Sequence, residues 1–255
     1  MTKHRSILIG DGGSNPTPPL HIGKAWQRII REKYANSQIA TSSYSLKDAV
    51  VKEIKYAIAK PLILKYEWLQ SMPHRFAFRV AHGLYCGNDL IGALVYAQPA
   101  QRSKSLFGED FGGRSIIQLS RGACTPESPF NSASFLISKS LLILKKEGIK
   151  AVVAYCTPEA GEVGTIYQAC NFMFIGYTKP SKEFFIDNRW CGERSMAHKW
   201  KWLKEQEPSV QEEYRKKFES LPSRICLPRL KYLYVLDEKL RDRIKPLKYV
   251  KRSVS

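Results

Sequence analysis

The stretch GTIYQACNFMFIGYT, Gly164 to Thr178, combines two kinds of secondary structure over a short length of chain. Its first half has helical spacing, with Ile166 and Cys170 on one face. Its second half is a run of aromatic and apolar residues that is typical of a buried strand. Asn171 separates the halves and tolerates the left-handed geometry that ends helices. The stretch therefore predicts a short helix, with Tyr167 in its first turn, that leads directly into a strand.

Similar patterns continue along the chain on the N-terminal side of this stretch. The predicted strands cover residues 38–45, 82–86, 90–96, 115–123 and 149–155. The predicted helices cover residues 49–60, 61–69 and 135–146. Gly-Asn-Asp joins the second and third strands and is typical of a hairpin. The order β-α-α-β-β-β-α-β-α-β predicts an α/β fold with a mixed central sheet and helices on both faces.

The composition predicts three segments in this 255-residue chain. Residues 1–38 form an N-terminal extension, partly flexible because Gly and Pro dominate residues 10–19. No Walker-type or GxGxxG phosphate loop is present there. Residues 39–195 form the catalytic domain, and the charged residues 196–255 form a basic C-terminal extension packed on it.

The formal net charge is +18, which favours a polyanionic partner such as nucleic acid. The six cysteines form no CxxC pair and no zinc-ligand spacing, so a reducing, intracellular compartment is indicated. No apolar run has the features of a signal peptide or the length of a membrane span. These features together predict a cytoplasmic protein.

Five segments in order resemble the Mom family of phage DNA-modification proteins, which have a GNAT-like acyltransferase fold. They are KYEWLQSMP (65–73), QLSRGA (118–123), PFNSASFLISKSL (129–141), YCTPEAGEVGTIYQACNF (155–172) and RLKYLYVLDEKLR (229–241). The resemblance implies transfer of a carbamoylmethyl-type group to the exocyclic amine of adenine in double-stranded DNA. It also implies acetyl-CoA or a related acyl donor, and protection of phage DNA from restriction in the host cytoplasm. It leaves open whether a metal takes part and what the oligomeric state is.

This chain departs from the family pattern at Thr157, Glu162 and Glu67, where an Asp and two His are expected. A different donor, a different base or another acceptor is therefore open. The alternatives are an N-acyltransferase for RNA, protein or a small amine, and a nucleic-acid-binding module without catalysis.

Four residues are predicted to be catalytic. Tyr167 could protonate a departing thiolate, although buried tyrosines more often have a structural role. Tyr155 is a weaker candidate, because it could simply close a strand. Glu67 and Glu162 are candidate general bases or metal ligands, against the ordinary expectation that a Glu is exposed.

Six residues are predicted to bind the donor. In the GNAT-like fold that the resemblance implies, Ser120 and Arg121 should lie where neighbouring strands separate, and Arg121 could hold a phosphate or pair with an acidic residue. Asn131, Ser132 and Ser134 stand at a helix start, which binds anions or is simply capped by its own side chains. The resemblance adds Asn171, at the junction between the short helix and the next strand.

Nucleic-acid binding is predicted for one aromatic and four basic residues: Trp68, Arg75, Arg102, Lys104 and Arg114. Aromatic side chains among positive charges suit a base extruded from a duplex. The nearby Phe76 and Phe78 are predicted to be core residues instead.

Overall fold

The computed structural model describes residues 44–99, 106–108, 115–158, 161–186, 189–192 and 206–251. The strands are β1 (Ala49–Ile54), β2 (Phe78–Cys86), β3 (Asp89–Ala97), β4 (Ile116–Cys124), β5 (Ala151–Cys156), β6 (Met173–Tyr177), β7 (Ser181–Ile186), β8 (Arg189–Gly192), β9 (Ser223–Cys226) and β10 (Leu230–Val235). The helices are α1 (Tyr56–Tyr66), α2 (Ser132–Lys146), α3 (Thr165–Ala169) and α4 (Pro208–Glu219), followed by a 3₁₀ helix (Glu238–Arg243). No helix within these ranges is long and apolar enough to cross a membrane.

The central sheet has seven strands in the order β1-β2-β3-β4-β5-β10-β6. β4 and β5 are parallel, and every other neighbouring pair is antiparallel. The prediction of a mixed sheet is therefore confirmed, including the hairpin between β2 and β3. The parallel pair requires a crossover, which α2 provides between the end of β4 and the start of β5.

Helices cover both faces of this sheet, as predicted. On one face, α2 and α3 enclose a core that includes Leu94, Tyr96 and Tyr232. On the other face, α1 packs against the alternate residues of the same strands, such as Val95. A third cluster around Val153 continues that second face beneath β5 and β10. Successive residues of a strand therefore point to opposite layers, and only side chains on the same face of the sheet can readily contact each other.

The prediction of a helix over residues 49–60 is wrong in its first half. Residues 49–54 form β1, which pairs with β2 along its full length, from Ala49 opposite Cys86 to Ile54 opposite Ala81. The apolar spacing of these residues is compatible with a helix. In the structure, however, their backbone N–H and C=O groups form hydrogen bonds with β2, which is about thirty residues away in the sequence. A single helix, α1, replaces the two predicted ones and contains Pro61. The predicted strand over 38–45 lies outside the described residues, except for 44 and 45, which are not in a strand.

The C-terminal segment contributes a strand to the interior of the molecule. β10 lies between β5 and β6, with Leu230 opposite Cys156 and Val235 opposite Ala151. Residues 230–235 are therefore part of the central sheet rather than a layer packed on its surface. The division at residue 195, which the sequence favours, would separate this strand from the sheet that it completes.

A second sheet of three strands, in the order β8-β7-β9, is a feature that the sequence did not predict. Glu183 and Arg224 stand opposite each other in β7 and β9. Their side chains are buried and form an ion pair, with Arg224 Nε donating to Glu183 Oε2 at 3.0 Å. Removing one partner of such a pair would leave a buried charge uncompensated.

Candidate active site

The central sheet opens between β4 and β5. The two strands pair only from Ile116 to Leu119 and from Ala151 to Ala154. Beyond that point, β4 stays with β3 as far as Cys124, and β5 stays with β10 as far as Cys156. A gap therefore forms between the C-terminal halves of the only parallel pair in the sheet, within the described residues. We call it the β4–β5 gap.

Ser120 lies at the start of the gap and forms a β-bulge. Tyr96 is opposite Leu119 and Val95 is opposite Arg121, so Ser120 has no partner residue on β3. An extra residue reverses the alternation of side chains that follow it. Leu119 accordingly belongs to the α2 face, whereas Arg121 is turned toward the α1 face. The prediction that strands separate at Ser120 and Arg121 agrees with this geometry, but β4 itself continues past both residues.

Arg121 fastens the segment after α1 to the edge of the gap. Its Nε donates to the carbonyl oxygen of Ser71 at 2.7 Å, and its Nη2 donates to Ser71 Oγ at 3.1 Å. Its Nη1 donates to the Ser120 carbonyl oxygen at 2.6 Å. Glu67 Oε2 lies 4.0 Å from Arg121 Nε and accepts from the Leu69 N–H at 2.8 Å. Arg121 therefore pairs with an acidic residue, Glu67, and this pairing occurs at the edge of the gap. Its predicted contact with a phosphate stays a prediction.

Helix α3 is held rigidly beside the gap by aromatic and amide contacts. It begins at Gly164, whose φ of 80° favours glycine and where a Cβ would lie 2.3 Å from the Tyr232 ring. Tyr232 donates its hydroxyl to the Val163 carbonyl at 2.6 Å. Gln168 donates to the same carbonyl and to the Tyr232 hydroxyl, at 3.1 and 3.0 Å. This short helix therefore has a fixed position from which it presents Tyr167.

The ring of Tyr167 packs against its neighbours, but its hydroxyl has no hydrogen-bond partner among the described residues. The ring lies against Phe172 and Tyr232, with centroids 5.3 and 5.5 Å away. Within the described ranges, the hydroxyl makes no hydrogen bond, in contrast to the hydroxyl of Tyr232. Burial raises the pKa of the Tyr167 phenol well above its usual value, and the acidic groups of Cys156, Glu162 and Glu67 add to the effect.

Three of the four predicted catalytic residues interact electrostatically, because Glu67 and Glu162 both contribute to the raised pKa of Tyr167. Glu67 comes from the end of α1, Glu162 from the loop after β5, and Tyr167 from α3. Glu67 is buried, with 7% of its surface exposed, and Glu162 is half-buried. The arrangement combines a proton donor with two carboxylates at one opening of the sheet, which suits acid–base chemistry.

The N-terminus of α2 has no side-chain cap. Asn131 precedes the helix with a φ of 68°, and its side chain makes no hydrogen bond among the described residues. The hydroxyls of Ser132 and Ser134 donate to the carbonyls of Pro129 and Asn131, at 2.7 and 3.0 Å. Simple capping by Asn131 or Ser132 is therefore absent. The first turn contains no acidic residue, so nothing there opposes an anion.

The remaining candidates lie elsewhere or outside the described residues. Tyr155 belongs to the cluster on the opposite face from Tyr167, because it alternates with Cys156 along β5. Asn171 is exposed in a left-handed turn after α3, with a φ of 60°. Trp68 is half-buried after Glu67, and Arg75 is exposed with its guanidinium 5.8 Å above the Tyr56 ring. Arg102, Lys104 and Arg114 are outside the described residues.

A buried polar network beneath α2 was not predicted from the sequence. Ser140 Oγ lies 2.6 Å from both the Tyr96 hydroxyl and His82 Nδ1. Burial lowers the pKa of His82 to about 4, so the ring is neutral, and its Nε2 has no partner within the described structure. Ser71 was also missed, because a serine in a loop carries no pattern that indicates a contact fifty residues away. Across the described ranges, no three His, Cys, Asp or Glu side chains form a group that could hold a metal ion.

Comparison with known proteins identifies the family of this chain. A model of the Mom protein family matches residues 48–253. The methylcarbamoylase Mom of Escherichia phage Mu is 25% identical over 158 residues. That match covers 60% of this chain and 64% of the phage protein, which is less than two thirds of its length.

Solved structures that resemble this chain include several acetyltransferases. A GNAT family N-acetyltransferase from Escherichia coli, in complex with CoA, has a TM-score of 0.38 and 14% identity over 50% of this chain and 69% of that chain. An N-acetyltransferase from Staphylococcus aureus has a TM-score of 0.41 and 12% identity, over 74% and 97%. A spermidine/spermine N-acetyltransferase from Vibrio cholerae has a TM-score of 0.43 and 10% identity, over 77% and 97%. At TM-scores this low, the likeness carries no conclusion about activity or ligands.

Proposed function

This chain belongs to the Mom protein family, and from that premise we propose that it is a transferase that modifies bases in DNA. The modification is the addition of a carbamoylmethyl-type, acyl-derived group to the exocyclic amine of adenine in double-stranded DNA. The observation that carries the proposal is Tyr167, whose hydroxyl makes no hydrogen bond among the described residues and whose pKa is raised by burial and, in part, by Glu162 and Glu67. A net charge of +18 supports a polyanionic substrate.

Tyr167 carries its proton at neutral pH, although its raised pKa makes it a weaker acid than an ordinary tyrosine. Its pKa is raised well above its usual value by burial and by nearby acidic groups, so the phenol keeps its proton at neutral pH. In acyl transfer, the adenine amine attacks the thioester carbonyl, so an N–C bond forms while the C–S bond breaks and the thiolate leaves. This step gives an N-acyl adenine, whereas a carbamoylmethyl group, which is joined to nitrogen through its CH2, requires a donor whose CH2 carries the leaving group. Because the Tyr167 hydroxyl has no competing hydrogen bond among the described residues, it is available to protonate that thiolate.

Glu162 is the stronger candidate for taking the proton from the attacking amine. Glu67 Oε2 already accepts from the Leu69 N–H and lies 4.0 Å from Arg121, so Glu67 holds the loop after α1 in place. Glu162 lies on a separate loop and is half-buried, whereas only 7% of the Glu67 surface is exposed, so Glu162 is the more solvent-accessible of the two carboxylates. We therefore assign Glu162 the role of proton acceptor and Glu67 that of a positioning residue.

The residues present fit an acyl-CoA donor. The N-terminus of α2 offers a positive dipole end and the Asn131 amide, both of which suit a diphosphate. Residues 125–131 connect this helix to β4, whose bulge at Ser120 borders the gap. The reacting end of such a donor would therefore lie near Tyr167 while its phosphates lie at α2.

The test is mass spectrometry of nucleosides digested from plasmid DNA that was co-expressed with the protein. Tyr167→Phe is the inactive variant, and Tyr177→Phe, which removes an exposed hydroxyl from β6, is the matched control. We expect a new adenosine-derived species with the unmodified protein and the Tyr177 variant, and none with Tyr167→Phe. Its mass would identify the group transferred.

Other outcomes would redirect the proposal. A modified base other than adenine would keep the enzyme class and change the substrate. Acyl-CoA turnover that does not depend on DNA, with no altered nucleoside, would instead indicate an N-acyltransferase for RNA, protein or a small amine. If the protein modifies phage DNA, we propose that it acts in the host cytoplasm and protects that DNA from restriction.

A further inference from the structure

An exposed aromatic side chain stands at the tip of the turn that leads from the candidate active site into β2. Phe76 is 91% exposed, the highest value among the exposed large hydrophobic residues of the described structure. Its ring stacks on His74, with centroids 5.2 Å apart and an interplanar angle of 29°. The prediction that Phe76 is a core residue is therefore wrong, whereas Phe78 packs at the start of β2 as expected.

The turn under Phe76 is rigid. Ala77 N–H donates to the His74 carbonyl at 2.8 Å, and Phe78 N–H donates to the same carbonyl at 3.1 Å. Tyr56 of α1 supports the turn from below, since its hydroxyl donates to the Pro73 carbonyl at 3.1 Å. Its ring meets Phe78 edge-on at 5.1 Å. Phe76 is thus held away from the core by a turn whose own backbone bonds are satisfied.

The charge around the turn suits a phosphate backbone. Arg75 and Arg79 are both exposed and flank Phe76 on either side in the sequence. No Asp or Glu occurs between Trp68 and Asn88, although the chain as a whole contains 23 acidic residues. An apolar side chain between two arginines combines electrostatic attraction to DNA with a group that can enter the base stack.

The turn is also close to the site where the chemistry is proposed. Ser71 is bonded to Arg121 at the edge of the β4–β5 gap. Phe76 follows Ser71 by five residues, and a chain of that length spans at most about 17 Å. Phe76 therefore lies within about 17 Å of the serine that is bonded to Arg121 at the edge of the gap.

We propose that Phe76, stacked on His74, is a wedge that enters a DNA duplex and unstacks the bases beside the nucleotide to be modified. This proposal deepens the proposed function and rests on it for the identity of the substrate. Adenine in a duplex is stacked and paired, so an enzyme that acts on its amine has to expose it. Apolar wedges lower the cost of that step by occupying the space that the base leaves.

The experiment measures binding of the full chain to two short fluorescein-labelled duplexes, without any acyl donor. One duplex is fully paired, and the other has one central abasic site, where the unstacking is already done. The variants are Phe76→Ala, Phe76→Leu, which keeps an apolar wedge, and the control Leu142→Ala. Leu142 is exposed on α2, and its replacement removes a similar apolar surface from another part of the molecule. Thermal unfolding confirms that every variant is folded.

The unmodified protein should bind the abasic duplex more tightly than the paired one, by roughly tenfold. Phe76→Ala should lose most of that preference, whereas Phe76→Leu and Leu142→Ala should keep it. Permanganate, which oxidises unstacked thymines, should react with the paired duplex in the presence of the unmodified protein and not with Phe76→Ala.

Two results would overturn the wedge. One is equal affinity of the unmodified protein for both duplexes, together with no permanganate reactivity. The other is a preference that Phe76→Ala retains in full, which would assign the exposed ring to a different partner. Both readouts are independent of group transfer, so a wedge that is confirmed while no nucleoside is altered would separate this inference from a failure of the proposed reaction.

Discussion

The polar network beneath α2 and the β4–β5 gap each contain a tyrosine whose pKa is raised by burial, but they use its hydroxyl differently. The Tyr96 hydroxyl lies 2.6 Å from Ser140, which is equally close to His82. The Tyr167 hydroxyl makes no hydrogen bond within the described part of the chain and is near two carboxylates. A network whose groups bind each other stabilises the fold, whereas an unpaired acid beside carboxylates is available for chemistry.

The largest expected effect is that of Tyr167→Phe on activity. The change removes the proposed proton donor and should lower the rate of DNA modification by about 10²- to 10⁴-fold. Stability should change by no more than about 0.5 kcal/mol, because the hydroxyl makes no hydrogen bond to any residue that the structure describes. Quantitative nucleoside mass spectrometry and thermal unfolding test both parts. Full activity in Tyr167→Phe would exclude a proton-transfer role for this residue.

The next effect concerns the pH dependence of stability and belongs to the buried network. Burial lowers the pKa of His82 to about 4, below the value near 6.5 expected in the unfolded chain. The folded state therefore binds fewer protons between these values. Its stability is complete above about pH 6.5 and decreases as the pH falls toward 4, by about 3 kcal/mol from this residue.

Denaturant unfolding of the unmodified protein and of His82→Asn, at several pH values across that range, tests the effect. The variant should be less stable near neutral pH but should lack the His82 contribution to the slope. Parallel pH profiles for the two proteins would mean that His82 does not titrate in the way its burial requires.

Glu162→Gln should have a smaller effect, confined to the gap. A Gln has the same shape but cannot accept a proton, so the rate should fall by roughly 10²-fold. Glu67→Gln should instead weaken the contact with Arg121 and affect stability more than the rate constant of the chemical step. Rate measurements over a range of pH separate the two, because only the proton acceptor should determine the acidic limb of the profile. The reverse pattern would assign the acceptor role to Glu67.

The sequence predicts those parts of the fold that depend on local patterns. The hairpin at 87–89, α2 and the helix–turn–strand around Asn171 are confirmed, because turn residues and apolar spacing determine them locally. β1 was missed, because only its pairing with β2 distinguishes it from a helix. The place of β10 inside the sheet is likewise set by β5 and β6, which lie far away in the sequence.

In the candidate site, too, some residues can be predicted from local sequence, whereas the positions of others depend on strand pairing. Tyr167, Glu67 and Glu162 could be chosen as candidates from the sequence, and the structure brings them into electrostatic range. Tyr155 could not be separated from them, because its orientation depends on the register of β5. The bulge at Ser120, which turns Arg121 toward Glu67, is visible only once β3 and β4 are paired.

The smallest expected effect is that of Tyr96→Phe, which is the counterpart of Tyr167→Phe. It removes one hydrogen bond from the buried network, while Ser140 keeps its contact with His82, so the loss should be about 1 kcal/mol of stability. DNA modification should stay within about twofold of the unmodified protein, because Tyr96 has no place in the proposed proton transfers.

The two tyrosine variants together test whether the buried network affects only stability and the β4–β5 gap affects only activity. Denaturant unfolding should register Tyr96→Phe and not Tyr167→Phe, and nucleoside analysis should register the reverse. If Tyr96→Phe abolished modification at unchanged stability, the network and the gap would be a single functional unit. Tyr96 lies opposite Leu119, which is the last residue of β4 that pairs with β5. The contact between Tyr96 and Ser140 is therefore linked to the opening of the sheet through Leu119, which would account for such a result.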